Sequence, residues 1–214
     1  MRYDQVMDAL AAQFTTPYGP RDGGIPLSPD EFEAAEFDEG YRYELIHGVL
    51  VVNAAPREEE RDANEELGYW LRTYQKTHPQ GGALDLTLSE HDLRTGPQIR
   101  RADRVIWTGL GRLPRTRALA KRRDVPSIIV EFPSARPADM RRDYDEKRIE
   151  YRDLGVREYW LIDRFRRAMV VYRWQGKRWA KHVVRESEVY STSLLPGFEL
   201  SIAAILAVSD RYKD

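Results

Sequence analysis

The chain has 214 residues and no cysteine. That leaves room for one sizeable core and excludes disulfides and thiolate metal sites. No apolar run approaches the ~18 residues of a membrane span, and the first residues lack the apolar core of a secretion signal, so the expectation is a cytoplasmic protein with no membrane partner. The net charge of −1 conceals a segregation: residues 28–66 carry 13 acidic and 3 basic side chains, residues 94–123 carry 10 basic and 1 acidic, and residues 164–185 carry 8 basic and none acidic. Basic blocks of this kind suit an anionic partner, nucleic acid first. The plainer readings are an Arg-rich solvated surface, or basic blocks that meet the acidic block within a dimer.

Residues 1–27 combine a short amphipathic start with a Pro/Gly stretch and read as a mobile N-terminal arm. Residues 28–214 show no repeat or linker and read as one domain. Ser28, Pro29 and Glu31 form a helix-starting capping box, with Phe32 on the apolar side of the short helix that follows. Residues 41–52 form two β-rich runs around His47 and Gly48, the pattern of a hairpin. Glu44 lies inside the first run, as an outward strand position or as a carboxylate facing a site. Residues 57–78 are the longest helical segment, with Ala63, Leu67, Trp70, Leu71 and Tyr74 in one stripe. The acidic start at Glu58, Glu59 and Glu60 suits the positive helix end.

Residues 82–88 alternate as a strand, residues 91–97 read as a polar loop, and residues 99–107 read as a second strand. Asp103 is the one acid of that basic stretch. Asp is a poor strand former, so it either pairs with Arg101 or Arg104 or has a role beyond propensity. Residues 109–124 are a basic loop, a candidate nucleic-acid contact. Ser127 to Val130 is a buried strand, and Glu131 follows directly. A carboxylate there is costly unless paired, protonated or bound to a cation; the alternative is a solvated strand end. After the Pro133 to Pro137 loop, a helix is expected over residues 139–154 with Gly155 as its stop. Asp139, Asp143, Lys147 and Tyr151 recur every four residues and share a face. That face is either a solvated row of ion pairs or one that aims Lys147 back at Glu131. Residues 157–163 form a further strand, residues 169–184 a second hairpin, residues 193–200 a loop and residues 201–208 a terminal helix. The aromatic hairpin around Tyr172 and Trp179 is either an interface or ordinary core.

Several chemistries are absent. No phosphate-binding glycine motif and no nucleophile elbow occurs, and His47, His78, His91 and His182 lack zinc-ligand spacing. What remains is a pair of carboxylates and a lysine in strand, strand, helix order. Asp103 and Glu131 could hold Mg²⁺ or Mn²⁺, hard cations that accept one or two carboxylates plus water and phosphate oxygens. Lys147 would orient the attacking water or stabilise the charged phosphorus centre.

At these residues the sequence resembles the Uma2 family, restriction-endonuclease-like proteins of the PD-(D/E)XK nuclease superfamily. The resemblance rests on the segment LSPDEFEAAEFDEGYRYELIHGVLVV, the helix ending WLRTY, the strand ADRVIW, the stretch IIVEFPSARPADMRRDYDEKRIEYRDLGVREYWLID, and SLLPGFEL. It implies an α/β (α+β) fold: a restriction-endonuclease-like core, a mixed β-sheet flanked by helices, with N-terminal and C-terminal β-hairpins. It implies a metal-dependent DNA endonuclease with Asp103 and Glu131 as catalytic metal ligands, Lys147 as the catalytic lysine and Glu44 as a further catalytic acid. A homodimer is expected of a fold that cuts two strands. The chain departs from the pattern at Pro133, where the superfamily usually has its lysine, at Ala102 and Arg104 around the strand Asp, and at Arg57 to Arg61, where the family often has a His. These departures keep open a catalytically inactive, nuclease-derived module that binds nucleic acid or supports assembly.

Overall fold

The computed structural model describes residues 16–116, 123–135, 140–176 and 178–212. In chain order its elements are α1 (Pro29–Ala34), β1 (Tyr41–Ile46), β2 (Val49–Ala54), α2 (Glu58–Thr77), β3 (Leu84–Thr95), β4 (Gln98–Thr108), β5 (Ile128–Glu131), a π-helical turn (Arg142–Glu146) running into α3 (Lys147–Leu154), β6 (Glu158–Asp163), β7 (Ala168–Trp174), β8 (Trp179–Arg185), β9 (Val189–Thr192), β10 (Leu195–Ser201) and α4 (Ile202–Asp210). The chain divides into two compact units, residues 1–55 with 97–99 and residues 56–96 with 100–214.

In the first unit Ser28 caps α1 as its sequence predicts. The Ser28 hydroxyl accepts from Glu31 N at 3.2 Å, and the Glu31 carboxylate accepts from Ser28 N at 2.7 Å. Strands β1 and β2 form the predicted hairpin. His47 and Gly48 take φ of 52° and 74°, the paired positive values that a tight two-residue turn needs. Phe32, Tyr43, Leu45, Leu50 and Ile99 make a small core. Of the expected N-terminal arm, residues 1–15 lie outside the described residues. The part from Tyr18 onward is tied down by bridges from Tyr18 to Phe37 and from Pro26 to Val49.

The second unit is built on a sheet in the order β3-β4-β5-β6-β7-β8. Strands β5 and β6 run parallel, while β4–β5, β6–β7 and β7–β8 are antiparallel. All four residues of β5 are buried, because both sheet faces are covered. Ile128 and Val130 point into a core with α2 and α4. Ile129 points to the opposite face, into a core with Tyr151 and Val156. Glu131 follows Ile129 by two residues and therefore shares its face.

Two segments differ from the sequence reading. Residues 91–95 continue β3 instead of forming a loop, because their charges find cross-strand partners: Arg101 lies 3.3 Å from Glu90 and 3.8 Å from Asp92. Residues 195–200 form β10 rather than a loop. Pro196 and Gly197 sit where the β9–β10 register shifts, and a bulge tolerates both residues. The expected helix over residues 139–154 is present from Met140, with Asp139 outside the described residues. Gly155 closes it at φ 96°. No helix among the described residues is long and apolar enough to cross a membrane.

Candidate active site

The β4–β5 register brings two carboxylates together. Arg104 pairs with Val130 and Val105 with Ile129. One further step along the same ladder puts Asp103 beside Glu131, with both side chains on the α3 face. The contact is made through the backbone: Phe132 N donates to Asp103 Oδ2 at 2.7 Å. Asp103 and Glu131 are both buried.

Helix α3 supplies the rest. Lys147 Nζ lies 3.0 Å from Glu131 Oε1 and 3.4 Å from Asp143 Oδ1. Tyr151 donates its hydroxyl to Glu131 Oε1 at 2.9 Å. Asp143, Lys147 and Tyr151 are the predicted one-face series, and all three are buried. Asp143 sits in the π-helical turn, a local widening that recurs at functional sites. Its backbone carbonyl accepts from Tyr159 OH at 2.9 Å, which holds the turn to β6. Further along, the helix is clamped by Arg100, whose guanidinium meets Glu150 at 2.6 and 2.8 Å. Thr95 donates to the same carboxylate at 2.9 Å.

Two buried carboxylates thus share one buried ammonium, and the charge of a third, Asp103, bears on both of them. Burial, opposed by Lys147, and then the charges of Asp103 and Asp143 push the Glu131 carboxyl well above its ordinary range. Burial raises Asp143 as well, against the pull of Lys147 and Arg142. With Arg142 Nε 3.5 Å from Asp143, the cluster sets two cations against three carboxylates. A proton or a cation would relieve it. Paired carboxylate oxygens are the donor type that hard divalent cations select, so the residues present fit such an ion. Among the described residues no group of three or more His, Cys, Asp or Glu side chains is close enough to enclose a metal by itself.

Asp103, Glu131 and Lys147 are therefore brought together. Glu44 belongs to the first unit, where it is buried and accepts from Asn53 Nδ2 at 3.1 Å. One partner was missed in the sequence. Asn64 of α2 donates to the Asp103 carbonyl at 2.8 Å. It also accepts from Arg104, with Nε 2.7 Å from Asn64 Oδ1 and Nη2 2.7 Å from Asn64 O. Arg104 lies flat against Gly68, where a Cβ would come within 2.5 Å of the guanidinium. Burial lowers the Arg104 pKa to about 10. The available signal was Asn64 itself, a poor helix former one residue beyond Ala63 on the buried side of α2. The start of α2 adds Glu60, whose carboxyl is raised by burial and then by the charge of Asp103.

Many arginines of the basic blocks are engaged within the fold. Arg100, Arg101, Arg112 and Arg115 form ion pairs. So do Arg164, Arg166, Arg167 and Arg173. Residues 117–122 of the expected nucleic-acid loop lie outside the described residues. Tyr172 and Trp179 stack at 6.1 Å and join the α3-side core, while Trp174 stays exposed.

A family model, described as "Putative restriction endonuclease", matches residues 29–203. The chain belongs to the Uma2 family. Among solved structures, a crystal structure titled as a "putative nuclease belonging to DUF820" from Anabaena variabilis is similar, with a TM-score of 0.68 at 20% identity. The match covers 86% of this chain and 99% of that one. The Uma2 chain therefore shares the fold of that protein, a mixed sheet with flanking helices and a small second hairpin sheet. No curated protein matches significantly.

Proposed function

We propose that this Uma2 protein is a metal-dependent endonuclease that hydrolyses DNA phosphodiester bonds. The observation that carries this is the placement of Lys147 Nζ 3.0 Å from Glu131, next to Asp103, in a buried cluster with surplus negative charge. Asp103 and Glu131 would hold Mg²⁺ or Mn²⁺; bound there, the ion would neutralise phosphate charge and lower the pKa of a water. The protein's own groups divide the remaining work. Tyr151 fixes Glu131, and Phe132 N fixes Asp103. Lys147, steadied between Glu131 and Asp143, offers its ammonium to the charge that develops on the phosphate. Because Pro133 occupies the usual lysine position, Lys147 delivers that charge from helix α3 instead. Glu44 is proposed as a further catalytic acid, to be read from cleavage by Glu44→Gln at unchanged stability. A homodimer would present two sites to two strands, and light scattering reads that state.

The test is Mn²⁺ and Mg²⁺ binding by calorimetry on the native chain and on Glu131→Gln. Binding by the native chain that is lost in the variant supports the assignment. Equal binding by both would remove Glu131 from it. The second reading, a module without turnover, draws on the acidic first turn of α2, where Glu59 is engaged by Arg164 at 2.8 Å. It predicts DNA binding that survives EDTA, with no cleavage at all.

A further inference from the structure

The sheet registers draw a line from the candidate site to an open edge. Glu131 pairs with Leu161, Leu161 with Val170, and Val170 with Val183. Paired residues point to the same face, so Val183 stands on the face that carries Glu131, about 14 Å away at ~4.8 Å per strand. Helix α3 does not cover that end: Val183 is 46% exposed. Two residues to either side, on the same face, stand Lys181 and Arg185. Lys181 pairs with Tyr172 and Arg185 with Ala168. Both side chains are exposed, and neither makes an ion pair among the described residues, in contrast to Arg164, Arg166, Arg167 and Arg173 of the same basic block.

Aromatic rings between the site and these residues carry arginines. Arg148 of α3 lies over the Tyr172 ring at 5.2 Å from its centroid, and Arg166 over the Tyr144 ring at 4.5 Å. Carboxylates also stand nearby, yet none forms an ion pair with the side chain of Arg148, Lys181 or Arg185 among the described residues. Asp163 pairs with Arg166 at 3.5 Å and accepts from Tyr144 OH at 2.7 Å, Asp145 is an exposed acid beside Tyr172, and the Glu188 carboxylate accepts from Arg185 N at 2.6 Å. The plain alternative is that Lys181 and Arg185 only guard the β8 edge against pairing with another chain. That purpose requires charge on the edge. It does not require a further cation, Arg148 of α3, over the ring of Tyr172, the cross-strand partner of Lys181.

We propose that the open face of β8 is a DNA-backbone contact, with Lys181 and Arg185 binding phosphates on the flank of the scissile bond. This rests on the endonuclease reading above. A duplex carries one negative charge per ~1.7 Å of axis, so a helix lying across the site presents phosphates within reach of β8.

The experiment is anisotropy of a fluorescein-labelled duplex in EDTA, titrated with the native protein, Lys181→Gln/Arg185→Gln and Lys76→Gln across a salt series. Lys76 is an exposed cation on α2, which covers the opposite face. The double variant should bind roughly tenfold more weakly, and its log–log salt slope should shrink by about 1.8, or ~0.9 per lost contact. Lys76→Gln should match the native protein. Native binding with an unchanged double variant overturns the β8 surface and leaves the nuclease reading intact. No duplex binding by the native protein overturns both. Tighter binding of a duplex RNA of the same sequence through the same two residues overturns the DNA assignment.

Discussion

Two buried glutamates on neighbouring parallel strands meet opposite fates. Glu158, at the start of β6, accepts from Trp160 Nε1, Arg173 Nε, Tyr190 OH and Thr192 Oγ1 at 2.7 to 2.9 Å. Its charge is spread over four donors, and among the described residues no second acid pairs with Arg173. Glu131, at the end of β5, shares one lysine with Asp143 and stands beside Asp103. Burial is the same in both places, at 2% exposure each. The difference lies in how the charge is balanced: the Glu158 carboxylate completes a network, and the Glu131 carboxylate leaves one in deficit. The first arrangement stabilises a fold. The second leaves a demand for positive charge at one end of the sheet, the feature on which the proposed metal site rests.

The sharpest way to break this contrast is to treat the two networks alike. Lys147→Ala should lower single-turnover cleavage by about 10²–10³-fold, measured by gel at saturating DNA. Glu131→Gln should abolish cleavage yet cost less than about 1.5 kcal/mol in urea unfolding, because the amide still accepts from Tyr151 and relieves negative charge. Glu158→Ala should do the reverse. It strands four donors and should cost about 3 kcal/mol or more, with cleavage by the folded fraction retained. If Glu158→Ala abolished cleavage at unchanged stability, the division between the two glutamates would fail.

Gly68→Ala sharpens the contrast from the other side of the sheet. Its Cβ would meet the Arg104 guanidinium at 2.5 Å, an overpacking cost of about 1–3 kcal/mol. Because Arg104 and Asn64 together hold the Asp103 carbonyl, cleavage should fall with it. Unchanged activity in a destabilised variant would show that this clamp serves the fold alone.

The smallest expected effect concerns His91, which packs edge-on against Trp107 at 5.4 Å. Burial, then Arg123 and Arg101, lower its pKa to about 4. The unfolded chain therefore binds this proton first as pH falls, and stability is lost between pH ~6.5 and ~4. His91→Gln should lose less Tm than the native protein over that interval. An equal loss would assign the acid sensitivity elsewhere.

Much of this was legible before any coordinates. The hairpin at His47 and Gly48, the Ser28 cap, the buried run before Glu131 and the four-residue spacing of Asp143, Lys147 and Tyr151 are local signals, and local physics decides them. The continuation of β3 through Glu90 and Asp92 was not legible, because those charges are strand-compatible only opposite Arg101. Nor was the role of Asn64, whose value depends on a carbonyl 39 residues away. The basic blocks were legible only as a count, which does not reveal which arginines the fold already uses. Lys181 and Arg185 emerge only after the others are assigned.

Cleavage of supercoiled plasmid with Mg²⁺ or Mn²⁺, by the native protein and by Glu131→Gln at matched Tm, tests the central claim most directly. The account predicts nicked or linear product from the native protein, none from the variant, and none from either in EDTA. Equal cleavage by the two proteins would contradict it.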